Sequence, residues 1–302
     1  MPKLFTNKNT KTMRGEVRGY ETYVLHMAAS DASGIADVCH YASPGCKSVC
    51  LINAGRLPMS SDLQTWRTRL AIEEPDEFYT RLYEEIADGA HRAKRKGMLA
   101  AFRLNGTSDL PWERMGLQDG ESIFDAFPDE IFYDYTKYPL SKRRGALKHR
   151  NYHLTYSWSE GPGFLPPAER QSFVLRSAQE WLEQGVNVTA VFGRYHNDKG
   201  DLPRRYDLGF GEVKVIDGDE DDLRFLDPKG VIVGLRAKFK SYEVLERGIA
   251  SGFILPGSYQ GREARPKRNP PSRDDVSGID EELWMYGIGC AGGQELDNIP
   301  IT

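Results

Sequence analysis

Apolar and polar positions alternate in two rhythms along most of the chain. Short runs with strand character are Tyr20–Met27, Met98–Leu104, Ile131–Tyr135, Tyr152–Tyr156, Val186–Phe192, Gly211–Ile216 and Val231–Leu235, each followed by turn residues. Between them lie stretches of helical period. Trp66–Leu70 reads as one. A clearer helix opens at Pro75-Asp76 and carries an apolar stripe of Phe78, Leu82, Ile86, Ala90 and Ala93. It stops at Gly97 after Lys94-Arg95-Lys96, cations that suit a helix C-terminus. Pro166-Pro-Ala-Glu opens another, with Phe173, Ala178, Trp181 and Leu182 as its inner face and Gly185 at its end. Ser241 reads as the N-cap of a short helix through Arg247.

Strands alternating with helices predict right-handed βαβ units and a mostly parallel sheet. Seven such strands point to a TIM-type (β/α) barrel, complete or partial. A doubly wound open sheet is the second choice, because it usually carries a glycine-rich phosphate turn after its first strand and none is present. The expected organisation is a barrel over residues 1–256 and an irregular C-terminal extension over 257–302. That extension begins as a basic linker rich in Gly, Pro, Arg and Lys (Gly257–Arg273). Acids at Asp274, Asp275, Asp280, Glu281 and Glu282 follow, and Leu283–Cys290 comes after them.

Composition narrows this only slightly. With 302 residues, 39% hydrophobic and 28% charged, the chain has ample material for a core. No apolar run approaches the roughly 20 residues of a membrane span. The polar start Met1–Lys8 predicts a chain kept in the reducing cytoplasm. A net charge of −4 gives no global attraction to nucleic acid. Local basic stretches at Arg92–Lys96, Lys142–Arg150, Arg204-Arg205 and Arg262–Arg273 leave a phosphate-binding face open, segments 142–150 and 262–273 above all.

The chemistry starts with Cys39, Cys46 and Cys50, three of the chain's four cysteines, on one loop after the first predicted strand. Three close thiolates suit an iron–sulfur cluster or zinc. The spacing Cys-x6-Cys-x3-Cys lacks the paired Cys-x2-Cys turns of a zinc ribbon. A fourth ligand would come from His40, His196, Cys290, another residue or a bound molecule. The alternatives are three unrelated buried thiols or a disulfide between two of them.

In a parallel barrel the carboxyl ends of the strands converge on one face. Those ends carry Asn105, Thr107, Ser108 and Asp109; Lys137; Ser157 and Glu160; Arg194; Asp217 and Asp219; and Lys238. Asn105, Ser108 and Asp109 are candidates to orient a ligand, and Lys137 and Lys238 to neutralise its charge. Glu160, Asp217 and Asp219 are candidates for proton transfer or a second ion. Asn105, Thr107, Ser157 and Arg194 are candidate cofactor contacts. Polar loops, Asx-turns and helix caps account for any one of these segments alone.

The run Ser33-Gly…Val38-Cys-x6-Cys-x3-Cys-Leu51…Gly55-Arg56, followed by Arg103-Leu-Asn-Gly-Thr-Ser-Asp-Leu-Pro-Trp-Glu113, resembles a family of phage proteins called gene product eighty-eight. Tyr133–Lys137, Asn151–Ser157, Ile216–Asp219 and Val231–Lys238 are similar too, so the resemblance covers roughly residues 5 to 240. It implies a phage-encoded protein acting in a bacterial cytoplasm and carries no settled activity. A fold-level analogy links the loop to radical S-adenosylmethionine enzymes, which place three cysteines after the first strand of a partial barrel and leave one iron open. Their spacing is Cys-x3-Cys-x2-Cys, and this chain departs from it; S-adenosylmethionine enters only through that analogy.

Two readings result. In the first, Cys39, Cys46 and Cys50 hold a [4Fe–4S] cluster at the barrel mouth of an enzyme acting on a small anionic or nucleotide substrate. In the second, zinc or a structural cluster stabilises a protein that binds nucleic acid or a host protein.

Overall fold

A computed structural model describes residues 2–7, 10–50, 57–115, 121–193, 202–238 and 241–257. The chain divides into two units, residues 1–258 and 259–302, and every described residue belongs to the first. The predicted basic linker and tail, with Cys290, therefore lie outside the described residues, as do Arg194 and His196.

Among the described residues ten strands form one sheet: β1 (Phe5–Thr6), β2 (Tyr20–Leu25), β3 (Leu99–Arg103), β4 (Ile131–Thr136), β5 (Tyr152–Ser157), β6 (Val188–Gly193), β7 (Arg205–Asp207), β8 (Glu212–Asp217), β9 (Ile232–Arg236) and β10 (Ile254–Pro256). The hydrogen-bonded path runs β1-β2-β3-β4-β5-β6-β9-β8-β7, with β10 paired to β6. The seven strands expected from the sequence are β2 to β6, β8 and β9, and all neighbouring pairs among them are parallel.

The barrel expectation is corrected here: the described sheet is open. Two features keep it so. β9 takes the place beside β6 that a barrel would give to β8, which reverses the strand order. The outer edges of β2 and β8 are then occupied by the antiparallel strands β1 and β7. Both short strands protect edges that would otherwise present unpaired backbone groups.

The helices are α1 (Thr10–Glu16), α2 (Pro44–Ser48), α3 (Ser61–Glu73), α4 (Pro75–Arg95), α5 (Ile123–Ala126), α6 (Leu140–Arg143), α7 (Pro167–Glu183) and α8 (Tyr242–Ser251). The signals that predict α4 are the ones that build it. Pro75 opens its first turn, Asp76 and Glu77 follow, and Arg92, Lys94 and Arg95 fill the last turn. Gly97 then leaves the helix with φ of +70°. Phe78, Leu82, Ile86 and Ala93 are fully buried, and each of the three larger side chains contributes about 2 kcal/mol by leaving water. The helix lies close on the sheet at Gly89, where a Cβ would stand 3.1 Å from the Phe102 ring and 3.2 Å from that of Tyr23. The Tyr23 hydroxyl donates to the Gly89 carbonyl at 3.1 Å.

Residues 219–227 supply contacts to the other face of the sheet. Phe225 meets Tyr20 and Tyr133 edge-on, with ring centres 5.1 and 5.5 Å apart. Asp222 accepts from Arg103 at 3.0 Å and from the Tyr133 hydroxyl at 3.2 Å. A connecting segment thus packs where a closed barrel would have inward side chains alone.

One local departure positions the site. β5 pairs with β6 only at Tyr156–Val188 and Ser157–Thr189. From Val191 onward the same edge of β6 is paired with β10. The carboxyl end of β5 therefore turns away from the sheet, and Ser157–Glu160 swings toward α8 and Phe253.

Candidate functional site

The cysteine loop is held on the sheet's carboxyl edge by groups from several strands. Cys39 follows β2 and is partly buried; its Sγ accepts from the Ser30 N–H at 3.3 Å and donates to the Thr107 carbonyl at 3.6 Å. Burial pushes this thiol up to about 12, with the Ser30 N–H pulling against it and Asp109, Cys46 and Cys50 adding to the rise. Burial thus favours the thiol form of Cys39, and a metal bound there would have to displace its proton. Cys46 lies in α2, whose N-cap Ser43 accepts from the Cys46 N–H at 3.1 Å, and Cys50 follows two residues after the helix. None of Cys39, Cys46 and Cys50 is in a disulfide.

Glu160 ties this loop to the end of β5. Its Oε1 accepts from the Gly45 N–H, while its Oε2 is buried without a hydrogen-bond partner among the described residues. Gly45 is there because nothing larger fits: a Cβ would run into the Ser251 hydroxyl and stand 2.6 Å from Glu160 Oε1 and 2.8 Å from Phe253 Cβ. α2, α8 and the β5 loop therefore meet at one glycine.

Lys137 follows β4. Its Nζ donates to Ser157 Oγ at 2.7 Å and lies 5.7 Å from the centre of the Phe253 ring. Among the described residues no carboxylate stands within ion-pair distance of it. Its backbone N–H donates to Asp109 Oδ2 at 2.8 Å. The sequence-predicted Lys137, Ser157 and Glu160 are thus brought to one place with the cysteine loop, linked through Gly45, Phe253 and Asp109.

Asn105, Ser108 and Asp109 sit beneath that edge as its framework. Asn105 is 2% exposed, and its side-chain oxygen accepts from Ser108 Oγ, the Leu110 N–H and Trp112 Nε1 at 2.8–3.1 Å. Its Nδ2 donates to the Leu110 carbonyl at 3.0 Å. This is an Asx-type knot that folds the loop, with no valence directed at a ligand. Asp109 joins Lys137 to the buried Arg143 guanidinium, 3.5 Å away. Burial pushes the Asp109 carboxyl up, with Arg143 and Lys137 pulling it down. Thr107 donates to the Met27 carbonyl at 2.5 Å and closes the loop onto the end of β2. Gly106 makes that closure possible, because a Cβ there would stand 2.6 Å from the Leu25 carbonyl.

Asp217 and Asp219, at the end of β8, form a group with Arg236 of β9. The guanidinium reaches Asp217 at 2.8 Å and Asp219 at 3.3 Å, and the Arg236 N–H donates to Asp219 at 2.9 Å. Lys238 lies exposed just past β9. Arg194 and the candidate ligands His196 and Cys290 lie outside the described residues.

Several members of the assembly carry no motif in the sequence. Asp134, Glu113, Arg143 and Tyr152 form a buried network under Asn105. Asp134 accepts from the Asn105 N–H at 2.6 Å and from the Tyr152 hydroxyl at 3.0 Å, and Arg143 pairs with Glu113 at 2.8 Å. Burial pushes the Asp134 carboxyl up to about 7, against the Asn105 N–H and Arg103. Arg143 reads in the sequence as part of a solvated basic run. The available signal was its place three residues after Leu140, on the same face of a helical turn.

The donor chemistry of three thiols suits a soft metal, yet the arrangement does not assemble it. Among the described residues, no three of His, Cys, Asp and Glu are spaced to hold an ion. No described helix is long and apolar enough to cross a membrane.

A family model described as gene product 88 matches residues 3–256, which takes in every strand and helix above. No curated protein matches the chain, and no solved structure does.

Proposed function

The chain belongs to the gene product 88 family, and we propose that it is an enzyme acting on a small anionic substrate, nucleotides included, at the carboxyl edge of its sheet. The observation that carries this reading is Lys137. A half-buried ammonium held by a hydroxyl and an aromatic face, with no carboxylate partner among the described residues, is a site for an anion. Asp109 offsets that charge without an ion-pair contact, and a bound carboxylate or phosphate would give the ammonium a direct partner. Ser157 supplies a hydroxyl to the same anion, and Glu160, whose Oε2 has no partner among the described residues, supplies a group for proton transfer.

The cysteine loop gives this edge its second element. The three thiols are not gathered into an ion site in this structure, so Cys39, Cys46 and Cys50 would hold an iron–sulfur cluster, with zinc as the alternative, only once the loop closes on the metal. The group would supply a Lewis acid or an electron. The chain's own residues do the rest: Glu160 fixes the loop against β5, and Asp109 fixes Lys137 against Arg143. In the second reading, a protein that only binds, the metal would be structural and Lys137 would have no small ligand.

Melting temperatures with inorganic phosphate, pyrophosphate and nucleoside monophosphates test the anion site. The wild type is expected to rise by several degrees with at least one of them, and Lys137→Ala to lose the rise. An equal rise in Lys137→Ala, or none in the wild type, overturns this reading.

A further inference from the structure

Beside the cysteine loop is an aromatic group that the proposed chemistry does not use. His40 is exposed and stacks on Phe164, with ring centres 4.9 Å apart and planes at 16°. Tyr41, only 9% exposed, backs them: it stands edge-on to Phe164 at 5.2 Å and lies 4.2 Å from Tyr138. Phe164 is 52% exposed, an expensive way to keep a phenyl ring.

Its exposure is built in. The Gly163 N–H donates to the Ala42 carbonyl at 3.1 Å, which ties the Phe164 turn to the cysteine loop. Arg170 donates to the Gly163 carbonyl at 3.0 Å and to the Leu165 carbonyl at 2.9 Å, bracketing Phe164 on both sides. A large aromatic ring fixed in water by backbone bonds to its neighbours is preorganised for contact.

The segment that follows Tyr138 is basic. Tyr138 leads through Pro139 into α6, and the segment from Leu140 to Arg150 contains Lys142, Arg143, Arg144, Lys148 and Arg150 with no acidic residue. Arg143 is buried and paired to Glu113, while Lys142 and Arg144 are exposed. The exposed Arg114 donates to the Lys142 carbonyl, and its charge reaches the Tyr41 phenol. Arg114 thus adjoins the aromatic group and ties the backbone of the basic segment to it.

We propose that the shelf of His40 and Phe164, backed by the buried Tyr41 and flanked by Arg114, Lys142 and Arg144, binds single-stranded nucleic acid. Bases stack on exposed rings at little sequence preference, and the cations follow the phosphates. A duplex keeps its base faces covered and would meet only the cations. The shelf stands whether or not the cysteines hold a metal.

The test is fluorescence anisotropy of the full chain with labelled twelve-nucleotide dT and rU strands and a dT·dA duplex, at 50 and 200 mM KCl. At least one single strand is expected to bind more tightly than the duplex and to weaken steeply with salt. Phe164→Ala is expected to weaken it by about tenfold, within the range of one lost base stack. Lys142→Glu with Arg144→Glu is expected to weaken binding and flatten the salt slope. Arg69→Glu, on α3, is the control expected to bind as wild type. Circular-dichroism melts and metal content of the same preparations show whether a variant has lost the shelf alone. No binding at 50 mM KCl overturns the proposal and leaves the shelf to a protein partner. Binding that survives Phe164→Ala and the double charge reversal in folded protein also overturns it, assigning the strand to another part of the chain.

Discussion

Asp134 has the most consequential single environment in the molecule. Its carboxyl is wholly buried, is bonded to the Asn105 N–H and the Tyr152 hydroxyl, and sits at about 7 in the fold against an ordinary value of 3.8. A group whose folded value is raised binds protons more tightly folded than unfolded. Its contribution is therefore fully present below about pH 4 and is lost as the pH climbs through about 7. Urea midpoints measured from pH 4.5 to 7.5 should show a decline, on the order of a few kcal/mol in unfolding free energy, that Asp134→Asn removes. A profile unchanged by that substitution would place the proton elsewhere. Glu160 gives a second prediction. Its carboxylate bond to the Gly45 N–H pins the turn that carries Cys46. Loss of one charge-assisted bond, about 1.4 kcal/mol, should speed alkylation of Cys46 about tenfold in Glu160→Ala. Glu160→Gln keeps the acceptor and should stay near wild type. Equal rates in all three proteins would show that the turn is held by other contacts.

Among elements, the short helix α2 shows what periodicity cannot see. It spans five residues, Pro44–Ser48, too few for any apolar period to register. The sequence showed its Ser/Pro/Gly surroundings as a loop and gave no sign that α8 packs on it. The contact resides in one glycine, Gly45, closed in by Glu160, Ser251 and Phe253. Gly45→Ala should cost about 2 kcal/mol by overpacking, read as a lower urea midpoint. An unperturbed midpoint would mean that α8 moves aside freely. The long elements behaved differently. Pro75, the buried stripe from Phe78 to Ala93 and Gly97 delimit α4, and Ser241 caps α8 through the Val244 N–H, because those signals act within a few residues. β1, β7 and β10 escaped notice since runs of two or three residues carry no alternation to read.

For the whole molecule, class and direction were legible and closure was not. Seven runs with helical stretches between them dictate a parallel sheet, and the same strands end in the residues of the candidate site. Whether the sheet closes depends on which strand lies beside β6, a choice made by packing between distant segments. The Arg103–Asp222 pair and the Phe225 ring, brought against β3 and β4 from beyond β8, are among those contacts. The site was partly legible for the same reason. Lys137, Ser157 and Glu160 sit at strand ends as the barrel logic implies, whereas the Asn105 knot and the buried Arg143 depend on partners no spacing announces.

The most direct test of the proposed chemistry is metal analysis of protein purified without oxygen, comparing wild type with Cys46→Ala. Iron and acid-labile sulfide in the wild type, with a visible charge-transfer spectrum that the variant loses, is the predicted result; zinc alone would favour the structural reading. Neither iron nor zinc after anaerobic reconstitution would contradict the assignment of Cys39, Cys46 and Cys50 as a metal-holding loop.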